Sequence, residues 1–396
     1  MTVLTLSDAG VDVLDCEHKT PQAQPSGFPY IAIPDIQDGR VLLGQARRIS
    51  KEDLAAWTRR TTPRTGDILV TRRGRVGDTA PIPDGIRCAI GQNLVLLRTN
   101  GERADQHYLR WAVRSPQWWG EVDRLLNVGA VFSSLNVRDI SRIRLEFPPL
   151  PEQQAIAEVL GALDDKIAAN TKLAAAAYEL VRAEIDSSWL HKGEPCVPVV
   201  EFMELNPSSP RPVSPEPPYI DMKRLSERRW TIDGFDRRKA KGGARFMNGD
   251  TLLARITPCL ENGKTGYVDV LPDDSVGLGS TEFIVLRPRE GVASPVPFLI
   301  AKEARFRESA IQNMVGTSGR QRVTAADVAR FKVPAPDPQW LSEFGRRVTD
   351  VFNAVRAAMA ENRILAATRD ALLPRLMSGE VQVGRSKTSV RTRFDI

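Results

Sequence analysis

Two long stretches of the chain repeat apolar residues at alternating steps of four and three, and each follows a β-rich segment. From 152 to 186, EQQAIAEVLGALDDKIAANTKLAAAAYELVRAEID holds one glycine and no proline and is rich in Ala, Leu, Glu and Lys. That composition predicts a helix, and at ~1.5 Å per residue it would run ~50 Å. Its apolar seam is Ile156, Leu160, Leu163, Ile167, Asn170, Ala174, Ala177, Val181 and Ile185, the spacing of a coiled-coil contact. A second helix is predicted from about Trp340 to Met377, with the seam Val348, Phe352, Val355, Met359, Asn362, Ala366, Leu373 and Met377. An offset of 192 places Asn170 on Asn362. A polar Asn in an apolar seam costs stability and fixes register. Two packings are open: the helices pair as an antiparallel intramolecular coiled coil, or each covers its own domain. The recurrence of the Asn favours the pair.

The segments before the helices also match. GDILVTR at 66–72 returns as GDTLLAR at 249–255, VRDI at 137–140 as AADV at 325–328, and IAANTKLAAA at 167–176 as MAENRILAAT at 359–368, in the same order. In the first copy GDILVTRRGRVGDTAPI (66–82) predicts a hairpin with a Gly-containing turn. CAIGQNLVLLRT (88–99) predicts a second strand pair bent at Gly91. DQHYLRWAVRSPQWWGEVDRLL (105–126) is helical in period and is broken in two by Pro116; Trp118 and Trp119 are expected as core anchors. A loop, a short helix and a strand follow to the prolines at 148–149. Residues 191–218, rich in proline, predict an irregular connection in their middle. YIDMKRL, GYVDVL, STEFIVLRP and the helical FLIAKEARFRESAIQNMV then repeat the plan. The layout is α+β with a pseudo-two-fold internal repeat: mixed α/β domains at 1–150 and 191–337, long helices at 151–190 and 338–380, and a basic tail at 381–396 carrying Arg385, Lys387, Arg391 and Arg393.

Composition narrows the function. The chain has 396 residues, is 42% hydrophobic and carries a net charge of +6, with a pI near 9.2. It can bury more than one core, and its charge favours a polyanionic partner such as nucleic acid. No apolar run is long enough for a membrane span, and the N-terminus lacks a basic signal-peptide region. Cys16, Cys88, Cys196 and Cys259 form no CxxC pair, which fits a reducing cytoplasm. His18, His107 and His191 suggest no metal set. EPPY at 216–219 resembles the loop of an adenine methyltransferase but begins with Glu216, so it reads as a connector. Gly263-Lys264-Thr265 echoes a P-loop, yet the leading glycine position holds Pro258. No catalytic constellation is evident.

Several motifs together resemble the specificity subunits of type I restriction–modification systems. PPLPEQQAIAEVLGALDDKIAANTKL (148–173) is similar to the family's conserved helical region. VGTSGRQRVTAADVARFKVPAP (315–336) and RDALLPRLMSGEV (369–381) are similar to its second copy, and GDILVTRRG and CAIGQNLVLLR to strands of its target-recognition domains. The second helix departs at its start, where PDPQWLSEF stands for PLPEQQAIA. The resemblance covers nearly the whole chain. It implies a non-catalytic, sequence-specific DNA-binding subunit in which two target-recognition domains read a bipartite double-stranded target. The helices would set the gap and dock two adenine methyltransferase subunits, with translocating nuclease subunits a possible addition. No cofactor is expected on this chain; S-adenosylmethionine, ATP and Mg would belong to partners. Two competing readings stay open: a self-contained methyltransferase or nuclease of unusual motif, and a coiled-coil protein adaptor.

Candidate DNA contacts are basic and amide side chains in loops. Arg72, Arg73 and Arg75 flank Gly74, and Gln92 and Asn93 follow Gly91; guanidinium and amide groups suit base edges or phosphates. Ser133, Ser134, Asn136 and Arg138 form a polar stretch whose counterpart is Ser318, Arg320, Gln321, Arg322 and Thr324. Arg255 ends the second copy of the GD strand. Arg228, Arg229, Arg237, Arg238, Lys239 and Lys241 make a further basic cluster, of the kind that contacts phosphate or only solvent.

Overall fold

The computed structural model describes residues 2–126, 133–191, 193, 195–227, 230–232, 234–239, 242–317 and 319–383. The chain forms two compact units, Met1–Ile167 with Ile364–Ile396, and Ala168–Arg363. The division falls inside both long helices.

The first unit is built on an antiparallel four-stranded sheet in the order Val11–Asp15, Leu94–Thr99, Ile68–Thr71, Thr79–Pro81. Alternate side chains of a strand point to opposite faces. Val95 and Leu97 enter a core with Tyr108, Leu109, Trp111 and Trp118, while Leu94 and Leu96 enter another with Cys16, Ile31 and Ile90. Burial on both faces explains the unbroken apolar run LVLL. A second sheet centres on Phe28–Ile31, antiparallel to Arg47–Ile49 and parallel to Ala89–Ile90. Thr2–Thr5 pairs with Arg144–Phe147.

The second unit has its own four-stranded antiparallel sheet, Met203–Leu205, Phe283–Pro288, Thr251–Ala254, Thr265–Tyr267. Here Ile284 and Leu286 face one core and Phe283 and Val285 the other. Its second sheet runs Asp236–Arg237, Pro218–Ile220, Gly277–Gly279, Ala244–Phe246, again with one parallel pair. Cys196–Pro198 pairs with Lys332–Pro334.

The GD motif has the same physical cause in each unit. Gly66 and Gly249 hold φ of +82° and +92°, a conformation that strains any side chain. The buried carboxylates of Asp67 and Asp250 accept paired hydrogen bonds of 2.8 and 2.6 Å from Arg98 and Arg287 respectively. This planar two-point geometry fixes the strand start against its neighbour.

Helices begin where the chain supplies caps. The Asp105 carboxylate accepts from the backbone N–H groups of His107 and Tyr108 and starts Gln106–Ala112. Ser115 caps Pro116–Leu125, with proline at the first turn where its missing N–H costs nothing. In the second unit Val296–Ala301 and Ala304–Gln312 fill the same place in the chain order. The first long helix is Leu150–Ile185, followed by a wider turn over Asp186–Leu190, and the second is Pro338–Met377.

Four expectations need correction. CAIGQNLVLLRT is not a strand pair: Ala89–Ile90 and Leu94–Thr99 join different sheets, because Gly91 turns the chain from one to the other. Trp118 is a core anchor that donates to the Gly77 carbonyl at 3.0 Å, but Trp119 is 39% exposed, one helical position round from it. The Pro-rich 191–218 stretch is irregular over 206–217, as expected, but its flanks hold the strands Cys196–Pro198 and Met203–Leu205 and the start of Pro218–Ile220, with prolines at strand ends where no ladder N–H is required. Leu163 is only half-buried, and Asp164, 3% exposed, takes its place in the seam.

That carboxylate lies between three arginines of the first unit. Arg369 contacts it at 2.6 Å, Arg40 at 3.1 Å, and Arg110 also pairs with it. Burial opposes its ionisation, but the guanidiniums of Arg110, Arg40 and Arg369 outweigh it and hold the carboxyl below the ordinary Asp range. Beside it Ile156 and Leu160 share a core with Leu373, Leu376 and Met377; Ile167 is buried. In the second unit Val348, Phe352 and Val355 are buried in one core with Ala174, Val181 and Ile185, and Met359 packs against it. The Asn170 amide donates to Asn362 Oδ1 at 2.9 Å and to Glu361 Oε2 at 2.8 Å, and Arg347 pairs with Glu184.

Candidate nucleic-acid interface

In the first unit three stretches far apart in sequence converge where the strand Ile68–Thr71 ends. The Arg72 N–H donates to the Asn93 carbonyl at 2.8 Å, and the Leu135 N–H donates to the Arg72 carbonyl at 3.0 Å. Arg73 forms a bridge with Ser134. The predicted Arg72, Arg73, Gln92, Asn93, Ser134 and Asn136 are thus brought together. Arg73, Gln92, Asn136 and Arg138 are exposed. The Arg72 Nε donates to the Leu135 carbonyl at 3.0 Å. The Asn136 amide donates to Asp139 at 2.9 Å, at the start of the short helix Val137–Ile140.

Arg75 is occupied within the protein. Its Nε lies 3.1 Å from the Asp78 carboxylate, and its Nη2 donates to the carbonyls of Ile33, at 2.8 Å, and Ile36. It fastens the turn to the neighbouring segment.

Sequence reasoning missed the groups behind the Gly91 turn. The Cys16 thiol donates to the Gly91 carbonyl at 3.1 Å, and His18 Nδ1 lies 3.3 Å from the Gln92 carbonyl while its Nε2 meets Asp15 at 3.0 Å. Asp15, Cys16 and His18 bring three potential ligand atoms within 4.8 Å of one another. Burial first, then the Asp15 charge, pushes the Cys16 thiol up to about 11. A protonated, hydrogen-bonded thiol is a poor metal ligand, so the trio reads as support for the loop.

The second unit repeats the convergence with different side chains. The Arg255 N–H donates to the Glu282 carbonyl at 3.0 Å, and the Val323 N–H donates to the Arg255 carbonyl at 3.0 Å. Arg322 forms bridges with Ile256 and Val315. The candidates Arg255, Gln321 and Arg322 therefore meet, and Arg320 is exposed beside them. Glu282 was not foreseen. Arg322 grips it with Nε at 2.9 Å and Nη2 at 2.7 Å, and this bond, ahead of burial, lowers the Glu282 carboxyl. Thr324 is a helix cap rather than a free hydroxyl: its Oγ accepts from the Asp327 N–H at 3.1 Å and donates to the Asp327 carboxylate at 2.6 Å. Ser318 lies outside the described residues.

The basic cluster sits on an edge strand of the second sheet. Arg238 lies over the Tyr219 ring at 3.4 Å and Arg237 over Phe235 at 5.6 Å, while Lys239 is exposed. Arg228, Arg229 and Lys241 lie outside the described residues, as does the basic tail beyond residue 383. The GKT sequence forms no phosphate cradle: Thr265 is buried in a strand, and Lys264 Nζ donates to the Met222 carbonyl at 3.3 Å. No helix among the described residues is long and apolar enough to cross a membrane.

Comparison with known proteins agrees on one family. Residues 16–177 match the family described as Type I restriction modification DNA specificity domain. The chain is 34% identical over 100 residues to the type I restriction enzyme EcoAI specificity subunit of Escherichia coli, an alignment covering 25% of this chain and 17% of that protein. It is also 34% identical over 105 residues to the putative type I restriction enzyme MjaX specificity subunit of Methanocaldococcus jannaschii, covering 26% and 23% respectively. These alignments span only about a fifth of the curated relatives' own length. A crystal structure of a type I restriction-modification S subunit from M. genitalium superposes with a TM-score of 0.60 at 14% identity, over 95% of each chain. At that identity the likeness is one of fold.

Proposed function

Because residues 16–177 belong to the type I restriction modification DNA specificity family, we propose that the whole chain is the DNA-reading, non-catalytic specificity subunit of a type I restriction–modification complex. Each α/β module reads one half of a bipartite duplex target. The observation that carries this reading is the convergence built twice from matching parts: residues 72–73, 92–93 and 134–136 in one unit, and 255–256, 281–282 and 321–323 in the other. Each places arginine, amide and hydroxyl side chains at the end of a strand held on both sides by backbone hydrogen bonds. Rigid backbone with polar tips suits both phosphate positioning and base-edge readout.

The long helices act in this reading as an antiparallel coiled coil that relates two copies of one plan and sets the gap between half-sites. The Asn170–Asn362 amide bond and the Arg347–Glu184 pair support it in the second unit, and the Asp164–Arg369 pair supports it in the first. The outer face of the first helix offers a second seam, Ala169, Leu173, Ala176, Leu180 and Ala183, all exposed. Leu173 and Leu180 are 60% and 69% exposed, and the three-four spacing suits a partner's helix. Adenine methyltransferase subunits, and translocating nuclease subunits where present, dock there. They bring S-adenosylmethionine, ATP and Mg, and the assembly acts on chromosomal DNA in the cytoplasm.

The test is binding of the purified chain to labelled duplex across ionic strength. Affinity falls steeply between ~50 and ~200 mM salt, as counterion release from several phosphates requires. A chain that leaves duplex unbound at low salt overturns the reading.

A further inference from the structure

Arg255 and Arg72 occupy the same place in the two units, but their side chains do not have the same partners. Both carry the same pair of backbone bonds, with N–H donating to the residue before a strand and the carbonyl accepting from the 135 or 323 amide. In the first unit the Arg72 guanidinium closes on the Leu135 carbonyl at 3.0 Å. In the second the Arg255 Nε is buried with no hydrogen-bond partner among the described residues. A buried donor left unpaired is uncommon and marks a place that another group can use.

The surroundings say what that is. Arg255 lines a cavity of about 450 Å³ with Ser208, Ser209, Arg245 and Thr281. Among the described residues no carboxylate lines it. By contrast the cavity beside the first long helix contains Asp84, Asp105, Glu158 and Asp165. Glu282, whose carboxyl the Arg255 charge also helps to lower, is already gripped by Arg322 through two nitrogens. Two further contacts keep the cavity wall rigid. Arg245 Nη1 donates to the Ser209 carbonyl at 3.0 Å, and Arg287 Nη2 donates to the Ser209 hydroxyl at 3.0 Å while its other bonds hold Asp250. Gly243 borders the same cavity at a φ of +119°, and an added Cβ would lie 2.1 Å from the Gly279 carbonyl oxygen. The backbone there is closely packed, and the polar side chains of the lining are two arginines, three hydroxyls and the Asn206 amide.

We propose that the Arg255 cavity receives a phosphodiester oxygen of the DNA backbone, with the half-buried Arg255 guanidinium as its inner anchor and the exposed Arg245 as its outer one. The proposal rests on the DNA-reading function above and adds an asymmetry to it. The second module is held on the duplex by an arginine whose Nε has no partner among the described residues, whereas the Arg72 Nε of the first module is turned back onto the Leu135 carbonyl. Arg255 is then a positioning residue for the second half-site and carries no base preference of its own.

The experiment compares the full-length wild-type chain with Arg255→Gln and Arg255→Lys on two labelled duplexes of unrelated sequence, across salt. Arg255→Gln should weaken binding about tenfold, equally on both duplexes, and reduce the slope of log affinity against log salt by about 0.9, the value of one phosphate contact. Arg255→Lys should restore most of the slope. Thermal unfolding of each variant checks that the loss is not a folding defect. An Arg255→Gln chain with wild-type affinity and slope overturns the proposal. So does a loss confined to one duplex, which would mark a base contact, and so does inorganic phosphate stabilising the wild type but not Arg255→Gln while the DNA slope stays constant, which would mark a free-anion site. Failure of the wild type to bind either duplex would instead overturn the DNA-reading function itself.

Discussion

The two units share a frame and differ in how each module is fastened to its helices. In the first unit an ionic cluster adds to the apolar contact: Asp164, from the first long helix, is surrounded by Arg40, Arg110 and Arg369, and Arg110 and Arg114 also lie over the Trp111 ring at 4.8 and 5.2 Å. In the second unit the junction is aromatic: Phe352, from the second long helix, sits 4.0 Å from Trp230, 5.0 Å from Tyr267 and 6.1 Å from Phe298, between ring centroids. The same helix-on-module contact is therefore compatible with two kinds of chemistry. An apolar junction draws on area removed from water and is insensitive to salt. A buried ion pair offsets a desolvation cost and becomes a liability once one partner is lost.

Single substitutions at the centres of the junctions should have the largest effects. Phe352→Ala should destabilise the second unit by about 3–5 kcal/mol, since it empties an aromatic cluster, and hydrogen exchange should place the loss in residues of that unit. Asp164→Asn should cost the first unit about 3 kcal/mol by leaving buried guanidiniums without their counter-charge. If its loss is instead negligible, the ionic junction is ornamental and the contrast between the units is false.

Acidity separates the units with opposite signs. Asp269 in the second unit has its carboxyl raised to about 6, chiefly by burial, with Arg356 and Arg363 opposing. It keeps its proton when folded and loses it near pH 4 when unfolded, so its stabilising effect is present in acid and is lost as pH rises through about 6. Lowering the pH from 7 to 4.5 should thus stabilise the second unit by about 1–2 kcal/mol. Asp164 acts the other way. Its folded carboxyl is depressed, so its contribution is intact above the unfolded value of about 4 and disappears only below it. Hydrogen exchange resolved by unit, at pH 7, 4.5 and 3, would show whether the signs oppose.

The smallest test concerns caps. Thr324 completes a reciprocal capping box with Asp327, whereas Asn136 makes no side-chain bond to its helix N–H groups. Thr324→Ala should cost about 1 kcal/mol. Asn136→Ala should cost only a few tenths, judged by denaturant midpoints.

Much of the plan was legible because its signals are local. Pro116 interrupts a helix, GD starts a strand and Asn recurs in a seam, and each can be read within one or two turns of chain. The misreadings came from partners far away. Whether Ala89–Ile90 pairs with Leu94–Thr99 depends on Phe28–Ile31, about 60 residues earlier. Choosing Asp164 over Leu163 as the inward residue required knowing that Arg369 would arrive to meet it. Arg322 has the composition of a DNA contact until Glu282, 40 residues away, is seen to hold it. Arg255 was singled out as one basic residue among many; only its orphaned Nε, set against the satisfied Arg72, distinguishes it.

The division of the chain also bears on the order in which its parts can mature. Ala168–Arg363 is one uninterrupted segment, so its core can close as soon as that segment leaves the ribosome. The module synthesised first cannot do the same. Its core includes Leu373, Leu376 and Met377, which are made more than 200 residues after Ile156 and Leu160. The earlier-made half therefore waits, with apolar surface uncovered, while more than 200 further residues are made, and it is the half on which a chaperone or a truncating stop codon should act most strongly.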